Sequence, residues 1–266
     1  GSKGANGVVL ITTKKGKQGK TIFNFGSSTG ITHITRKRDL MGTDQYLKMR
    51  REAFANDGVV VYPANAYDVN GTWDKNRNTD WQSVLIGRTA TTNQMQASVS
   101  GGNENTQFLF SGMHQNETTV FPGNFNYERI TVNSNLQHQS TDKRFKMTFS
   151  AGYTIEKNLL PGADLTSNSY RLPPNAPALH DINGNLNWEN STWTNPLAQL
   201  EGKYTNNINS LITNAVLNYQ LFEGFEVKIN TGYNFTILDD NRTIPHTVRN
   251  PAFGSTSSIS QSYTHS

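Results

Sequence analysis

The chain has 266 residues, enough for one or two domains, and only 17% of them are charged. It has no cysteine, which excludes disulfides, thiolate metal sites and cysteine nucleophiles, and no run of about 18 apolar residues that would form a transmembrane helix. The net charge of +4 is too small to indicate a nucleic-acid partner. Because the sequence begins without Met or an apolar leader, we expect a piece of a longer or processed protein.

Alternation of apolar and polar side chains is the strongest pattern in the sequence, and it predicts β-strands. In residues 143–156, for example, Phe145 and Phe149 fall on one face, whereas Lys146 and Thr148 fall on the other. The predicted strands are longer than the roughly 5–6 residues usual in soluble proteins, and long enough for a tilted bilayer crossing of about 9–11 residues. Seven strands are predicted, at residues 20–35, 93–100, 106–115, 127–139, 143–156, 211–221 and 225–237.

One helix is predicted inside the first long connection, at residues 44–56. Thr43 would cap it, and Asp44 would lie favourably in its first turn. The residues that would share one face of this helix are Tyr46, Leu47, Arg50, Ala53 and Phe54.

The connections between the predicted strands alternate in length. Short turns rich in Gly and Asx residues are predicted at residues 101–105, 140–142 and 222–224. Long loops are predicted at residues 36–92, 116–126, 157–206 and from 238 onward. Short turns at one end and long loops at the other are typical of outer-membrane β-barrels. The alternative is a soluble β-sandwich, which would rarely carry two loops of about 50 residues.

No group of residues forms a recognisable catalytic constellation, so we do not expect an enzyme. Residues 16–21 resemble the end of a phosphate-binding loop, but Lys14 stands where that loop requires Gly, and a strand follows instead of a helix. Alternate spacing typical of a calcium loop occurs at Asp74, Asn76, Asn78 and Asp80. The Gly and the final Glu of such a loop are missing, so we expect an Asx-rich turn, with a loop calcium possible and no other metal or cofactor.

Aromatic residues in the long loops are candidates for ligand binding. Tyr170, Trp188 and Trp193 lie among many Asn residues in the predicted loop 157–206. Aromatic faces and amide side chains suit sugar rings, which present apolar C–H faces and hydroxyl rims. The alternative is that these aromatic residues pack the long loops against one another.

Residues 3–17, with the sequence KGANGVVLITTKKGK, resemble the end of the plug domain in SusC/RagA-type TonB-dependent outer-membrane transporters. Three further stretches are similar to this family, and their order and spacing agree along the whole chain. They are NTDWQ at residues 78–82, SVSGGNE at residues 98–104 and NPLA at residues 195–198.

The resemblance implies an all-β fold that is part of a large antiparallel transmembrane β-barrel of about 22 strands, with a plug remnant at its start. Residues 1–19 would end the plug domain, and residues 20–266 would form the first part of the barrel, with external loops at 36–92 and 157–206. Polar side chains would face the lumen, and apolar side chains would face outer-membrane lipid. Seven strands cannot close such a barrel, so we expect a fragment.

The resemblance also implies a function in the bacterial outer membrane. That function is the TonB-dependent import of a large nutrient, an oligosaccharide or glycan and possibly a peptide. A SusD-like surface lipoprotein would be the partner at the external face, and the TonB complex would act through a missing N-terminal region. The alternative function is that of a soluble carbohydrate-binding β-sandwich module.

Overall fold

The computed structural model describes residues 14–266, which form one antiparallel sheet of eight strands paired in chain order. The strands are β1 (Gly19–Thr32), β2 (Ala90–Gly102), β3 (Thr106–Thr118), β4 (Asn126–Gln139), β5 (Phe145–Pro161), β6 (Lys203–Phe222), β7 (Phe225–Ile244) and β8 (Ser258–His265). The helices are α1 (Thr43–Asn56), α2 (Trp81–Ile86), α3 (Thr166–Arg171) and α4 (Ala198–Glu201). Single 3-10 turns occur at Glu189–Ser191, His246–Val248 and Pro251–Phe253. Most of the plug-like motif, residues 3–13, lies outside the described residues.

All seven predicted strands are confirmed, but several are longer than predicted and an eighth was missed. β6 begins at Lys203 instead of residue 211, and β5 continues to Pro161. The added segments carry no alternating signal, because residues 203–210 are mostly polar and Leu159 and Leu160 put apolar side chains on both faces. β8 pairs with the end of β7, from Ile237↔His265 to Ile244↔Ser258. The long loop predicted from residue 238 onward is therefore shorter than expected, and it spans residues 245–257.

The two faces of the sheet differ in polarity along its whole width. One row across paired strands contains Asn24, Ser98, Ser111, Asn133 and Gly152. The neighbouring row, on the opposite face, contains Phe25, Ala97, Gly112, Val132, Tyr153, Leu211 and Phe235. We call these the polar face and the apolar face.

The apolar face has the height of a bilayer core. On β5 it runs from Phe145 to Ile155, about 33 Å along the strand at about 3.3 Å per residue. A strand tilt of about 40° reduces this to about 25 Å, the usual height of the apolar band on an outer-membrane barrel. The next row on this face, toward the long loops, is polar and contains Glu128, Lys157, Asn207 and Asp239. The change of polarity at this row marks one edge of the band.

Bulky apolar side chains on this face are exposed. Phe23 is 78% exposed and Phe25 is 75% exposed. A soluble β-sandwich would cover such side chains with a second sheet, yet residues 14–266 form a single sheet. The arrangement therefore fits a lipid-facing surface and does not favour the sandwich alternative.

Long and short connections lie at opposite ends of the sheet, as predicted. The short turns follow β2, β4 and β6, and the β6–β7 turn requires Gly224, whose φ of +84° lies in the left-handed region that favours glycine. The long connections are residues 33–89, 119–125, 162–202 and 245–257. Within residues 14–266, no helix is long and apolar enough to cross a membrane.

The long loops share a hydrophobic core of their own. Its buried members come from three connections and are Trp81, Leu85, Ile86, Phe125, Leu165, Ala176, Trp193 and Leu200. We call this assembly of residues 33–89, 119–125 and 162–202 the loop cap. A second small cluster holds α1 against the same loop through Leu47, Ala66 and Val69.

The predicted helix is confirmed as α1, but its predicted cap is wrong. Gly42 is the N-cap residue, and its position has no side-chain cap. The Thr43 hydroxyl instead donates to the Arg77 carbonyl, while Asn78 Oδ1 accepts from the Thr43 backbone N–H at 3.0 Å. A distant segment of the same loop thus provides a hydrogen-bond acceptor for a backbone N–H group at the start of α1, and the sequence alone could not identify this partner.

Candidate functional site

The polar face encloses a broad cavity of about 940 Å³ that extends from β1 to β6. Its lining side chains are mostly small and uncharged, including Ser98, Ser111, Asn133 and Ser150. Such a surface offers hydroxyl and amide groups without a large charge. It can pack against another polar body or line a water-filled passage.

The first described residues lie against this polar face. Lys14 lines the cavity. Gly16 is buried, and a Cβ atom at its position would come within 2.5 Å of the backbone N and O atoms of Phe108. Only glycine allows this close approach of the chain to β3.

Charged side chains lie on the polar face of the sheet only toward the two ends of the strands, with Lys146 and Lys228 near the short turns and others near the loop cap. Arg129 Nε lies 3.5 Å from Glu156 Oε1. On the same face, Asn206 Nδ2 donates to Asp240 Oδ1 at 2.5 Å, and Gln115 Nε2 donates to the Glu117 carboxylate at 2.5 Å. The polar face is therefore uncharged in its middle rows and charged toward the ends of the strands.

The family-like stretch at residues 78–82 holds the loop cap together. The Thr79 N–H donates to the Pro174 carbonyl at 2.9 Å, and Trp81 Nε1 donates to the Pro173 carbonyl at 2.8 Å. Asp80 Oδ1 caps α2 by accepting from the backbone N–H groups of Gln82 and Ser83. The motif therefore has a structural role, because it ties the first long loop to the third.

The stretch at residues 195–198 performs the same task in the third loop. Asn195 is fully buried, and its Nδ2 donates to the Leu179 carbonyl at 2.6 Å and to the Asn187 carbonyl at 3.0 Å. Its Oδ1 accepts from the Leu197 N–H at 3.0 Å. Replacing it would leave buried backbone groups without partners.

An ion pair fixes α1 to the loop that follows it. Asp68 Oδ2 accepts from Arg50 Nε at 2.7 Å and from the Tyr46 hydroxyl at 2.9 Å. Burial and the hydrogen bond to Asp68 raise the pKa of Tyr46 to about 12. Burial alone would raise the pKa of Asp68, but the hydrogen bonds from Arg50 and Tyr46 outweigh it and hold that pKa below its ordinary value.

The oxygen atoms of the calcium-like stretch take part in turns. Asp74 Oδ1 accepts from the Asn76 N–H at 2.9 Å, which makes an Asx turn. Asn78 and Asp80 use their oxygens on Thr43 and on α2, as described above. Among residues 14–266, no group of three or more His, Cys, Asp or Glu side chains is placed to hold a metal ion.

The three aromatic candidates differ in their surroundings. Trp193 is 8% exposed and packs in the core of the loop cap, so it presents little surface to a ligand in this structure. Trp188 is half-buried. Tyr170 is also half-buried, lines a second cavity, and lies under the Arg38 guanidinium, whose Cζ is 4.3 Å from the ring centroid. Sequence reasoning missed Arg38, because no local pattern connects it to Tyr170.

Similarity to known proteins agrees with this architecture. No protein-family model matches the chain. TonB-dependent receptor P3 of Formosa agariphila is 28% identical over 247 residues, which cover 88% of this chain and 23% of the receptor. TonB-dependent receptor SusC of Bacteroides thetaiotaomicron is 26% identical over 79% of this chain and 20% of SusC. The chain thus spans about a fifth to a quarter of these curated relatives.

Solved structures show the same fold. The RagAB peptide importer in its closed-closed state matches 98% of this chain and 34% of the importer chain, with a TM-score of 0.72 and 21% identity. A further structure of the RagAB peptide transporter matches with a TM-score of 0.73. The antiparallel all-β fold and the resemblance inferred from the sequence motifs are thereby confirmed. Over most of its length, the chain is therefore similar to one part of the SusC/RagA-type TonB-dependent receptors.

Proposed function

We propose that the chain forms part of the wall and external loops of a transporter that imports a large nutrient across the outer membrane with energy from TonB. The observation that carries this proposal is the two-faced sheet. Its exposed apolar face is about 25 Å high, and its opposite face borders a broad cavity that is lined mainly by small uncharged residues, with Leu109, Met113 and Ile212 among them. One face suits lipid, and the other suits the inside of a barrel.

We also propose a division of the chain into domains, which the same geometry supports. Residues 20–266 form the barrel segment and its loops, and residues 1–19 end the plug. Two contacts support this division: Gly16 lies close to the backbone of Phe108, and Lys14 lines the cavity on the polar face. The TonB complex would act through the plug and the N-terminal region of the longer protein.

We propose an oligosaccharide or a peptide as the substrate, and a SusD-like surface lipoprotein as the partner at the external end. RagAB is described as a peptide importer, so a peptide has a precedent within this fold. Within the loops, Tyr170 and Trp188 keep partly exposed rings that a substrate could touch. Trp193 would contribute by holding the loop cap in shape.

Uptake in living cells tests this function. The gene for the full-length protein is deleted, and growth is measured on maltoheptaose or on a peptide digest as the sole nutrient. Loss of growth on one of them, restored by the intact gene but not in cells without TonB, is the expected result. If deletion of this gene and loss of TonB both leave growth unchanged on maltoheptaose and on the peptide digest, the protein is not an importer of these nutrients. Affinity purification of the full-length protein checks the partner, which should appear as a co-purifying lipoprotein.

A further inference from the structure

A cavity of about 390 Å³ opens in the loop cap, apart from the cavity on the polar face. It lies between residues 37–42, α1, the stretch 78–82 and the end of α3. We call it the loop-cap cavity. Its volume is at the lower end of the roughly 300–1,000 Å³ usual for small-molecule sites, so it suits the end of a chain better than a long stretch of it.

Arg38 is held rigidly at the edge of this cavity. The buried side chain of Gln82 forms two hydrogen bonds with the backbone of Arg38. Gln82 Oε1 accepts from the Arg38 N–H at 2.8 Å, and Gln82 Nε2 donates to the Arg38 carbonyl at 2.8 Å. The guanidinium then stacks over the Tyr170 ring at 4.3 Å. A cation fixed in this way loses little conformational freedom when it binds a partner.

The loop-cap cavity has guanidinium groups available for an anion. Lys37 is already engaged, since its ammonium pairs with Asp80 and bonds to Ser83. Arg38 and Arg171 also line the cavity, and neither forms an ion pair with any carboxylate of residues 14–266. A guanidinium presents parallel N–H donors that match the two oxygens of a carboxylate.

The remaining wall is mixed: Asp39, Asn78, Thr79 and Asp80 line one part of it, and apolar aliphatic side chains line another. Leu40 and Met49 line the cavity and are each 44% exposed, and Met41 and Leu172 lie beside them. Flexible thioether and aliphatic side chains adapt to an apolar group of varied shape. A sugar ring would instead favour an open aromatic face, but Trp81 is buried and one face of Tyr170 is covered by Arg38.

We infer that the loop-cap cavity is a subsite for the carboxyl-terminal residue of a peptide. The free carboxylate pairs with the guanidinium groups of Arg38 and Arg171, and an apolar side chain lies against Leu40, Met41 and Met49. This inference rests on the proposed import function, and it names the chemistry of the transported molecule that this part of the loops recognises.

Binding to the purified full-length transporter tests the subsite without requiring transport. The probe is tetra-alanyl-leucine labelled with fluorescein at its amino terminus, and its C-terminal amide is the comparison. Fluorescence anisotropy should give a dissociation constant at least about tenfold lower for the acid than for the amide, because a charge-assisted bidentate contact is lost in the amide. Arg38→Gln should remove this preference, because it removes the guanidinium. The backbone hydrogen bonds to Gln82 should remain, because Gln has the same backbone groups.

Arg36→Gln is the matched control. It removes the same charge as Arg38→Gln, but Arg36 is two residues away and its side chain does not line the cavity. It should leave the preference for the acid intact, whereas Arg171→Gln should reduce it. Equal binding of acid and amide by the unaltered protein, or equal losses in Arg36→Gln and Arg38→Gln, would overturn the inference. Binding of trigalacturonate but not of the peptide would also overturn it, while leaving the proposed import function standing. The uptake experiment above judges that function separately.

Discussion

The indole rings of Trp81 and Trp193 lie with their centroids 6.1 Å apart, and they join two loops that are far apart in the sequence. Each ring also has its own anchor, because Trp81 Nε1 donates to Pro173 and Trp193 Nε1 donates to the Asn187 carbonyl. The long loops are therefore a packed body with a core. A candidate binding residue on this body, such as Tyr170, is held by a fixed scaffold, which would lower the entropy cost of binding.

Removing Trp81 should loosen the loop cap. Trp81→Ala creates a large cavity and orphans the Pro173 carbonyl, so we expect a loss of about 3–5 kcal/mol in the local stability of the cap. Hydrogen exchange of the loop amides in the full-length protein measures this loss. Trp188→Ala is the control, because Trp188 is half-buried and outside this core. Equal exchange rates in the two variants would contradict the role given to Trp81.

The strands were predictable because each residue of a strand that separates lipid from a polar interior must suit its own face. That constraint produces the alternation of apolar and polar residues in β5, β6 and β7. The alternation disappears beyond the row of Lys157 and Asp239, where the strands meet the loop cap, and there the predicted strand boundaries were wrong. β8 was missed for the same reason, since its backbone pairing with β7 decides its structure.

The loop cap could be predicted only in part. The start of α2 has a local sequence signal for a helix N-terminus. Asp80 and Ser83, three residues later, both form hydrogen bonds at the cap of that helix. By contrast, the contact of Arg38 with Tyr170 depends on how two long loops fold over each other. Tyr170 was a candidate from its chemistry, but its position at a cavity edge required the structure.

Gly16 should be intolerant of a side chain. A Cβ atom there would meet backbone atoms of Phe108, which cannot move as a flexible side chain could. Gly16→Ala should therefore unseat the segment from β3, at a cost of about 1–3 kcal/mol. Limited trypsin digestion of the full-length protein should then cut faster at Lys14 and Lys17. Gly30→Ala is the control, since the nearest atom to its Cβ is an ordinary 3.9 Å away, and unchanged cleavage in Gly16→Ala would contradict the close packing.

The attachment of α1 should weaken only in strong acid. The folded pKa of Asp68 is lowered, so its contribution to stability is complete above its ordinary pKa of 3.8 and is lost as the pH falls below that value. Hydrogen exchange in α1 should be equally protected at pH 7 and pH 5 and less protected near pH 3. Asp80 also has a lowered pKa, chiefly because the Ser83 hydroxyl bonds to it. The variant Asp68→Asn therefore separates the contribution of Asp68 to the acid response from that of Asp80. This variant should lose protection at neutral pH and respond less to acid.

A charge on the apolar face should be far more harmful than the same charge on the polar face. Phe149 lies near the middle of the apolar band on β5, and its neighbour Thr148 points to the opposite face. Arginine at the bilayer midplane costs about 2–4 kcal/mol when it faces lipid. Phe149→Arg should therefore lower the thermal unfolding midpoint and the yield of the full-length protein in the outer membrane, whereas Thr148→Arg should change both much less. Lys157→Arg, beyond the edge of the band, should leave both unchanged, because that row already carries charge. If Phe149→Arg and Thr148→Arg had equal effects, the two faces could not be in different solvents, and the assignment of one face to lipid would fail.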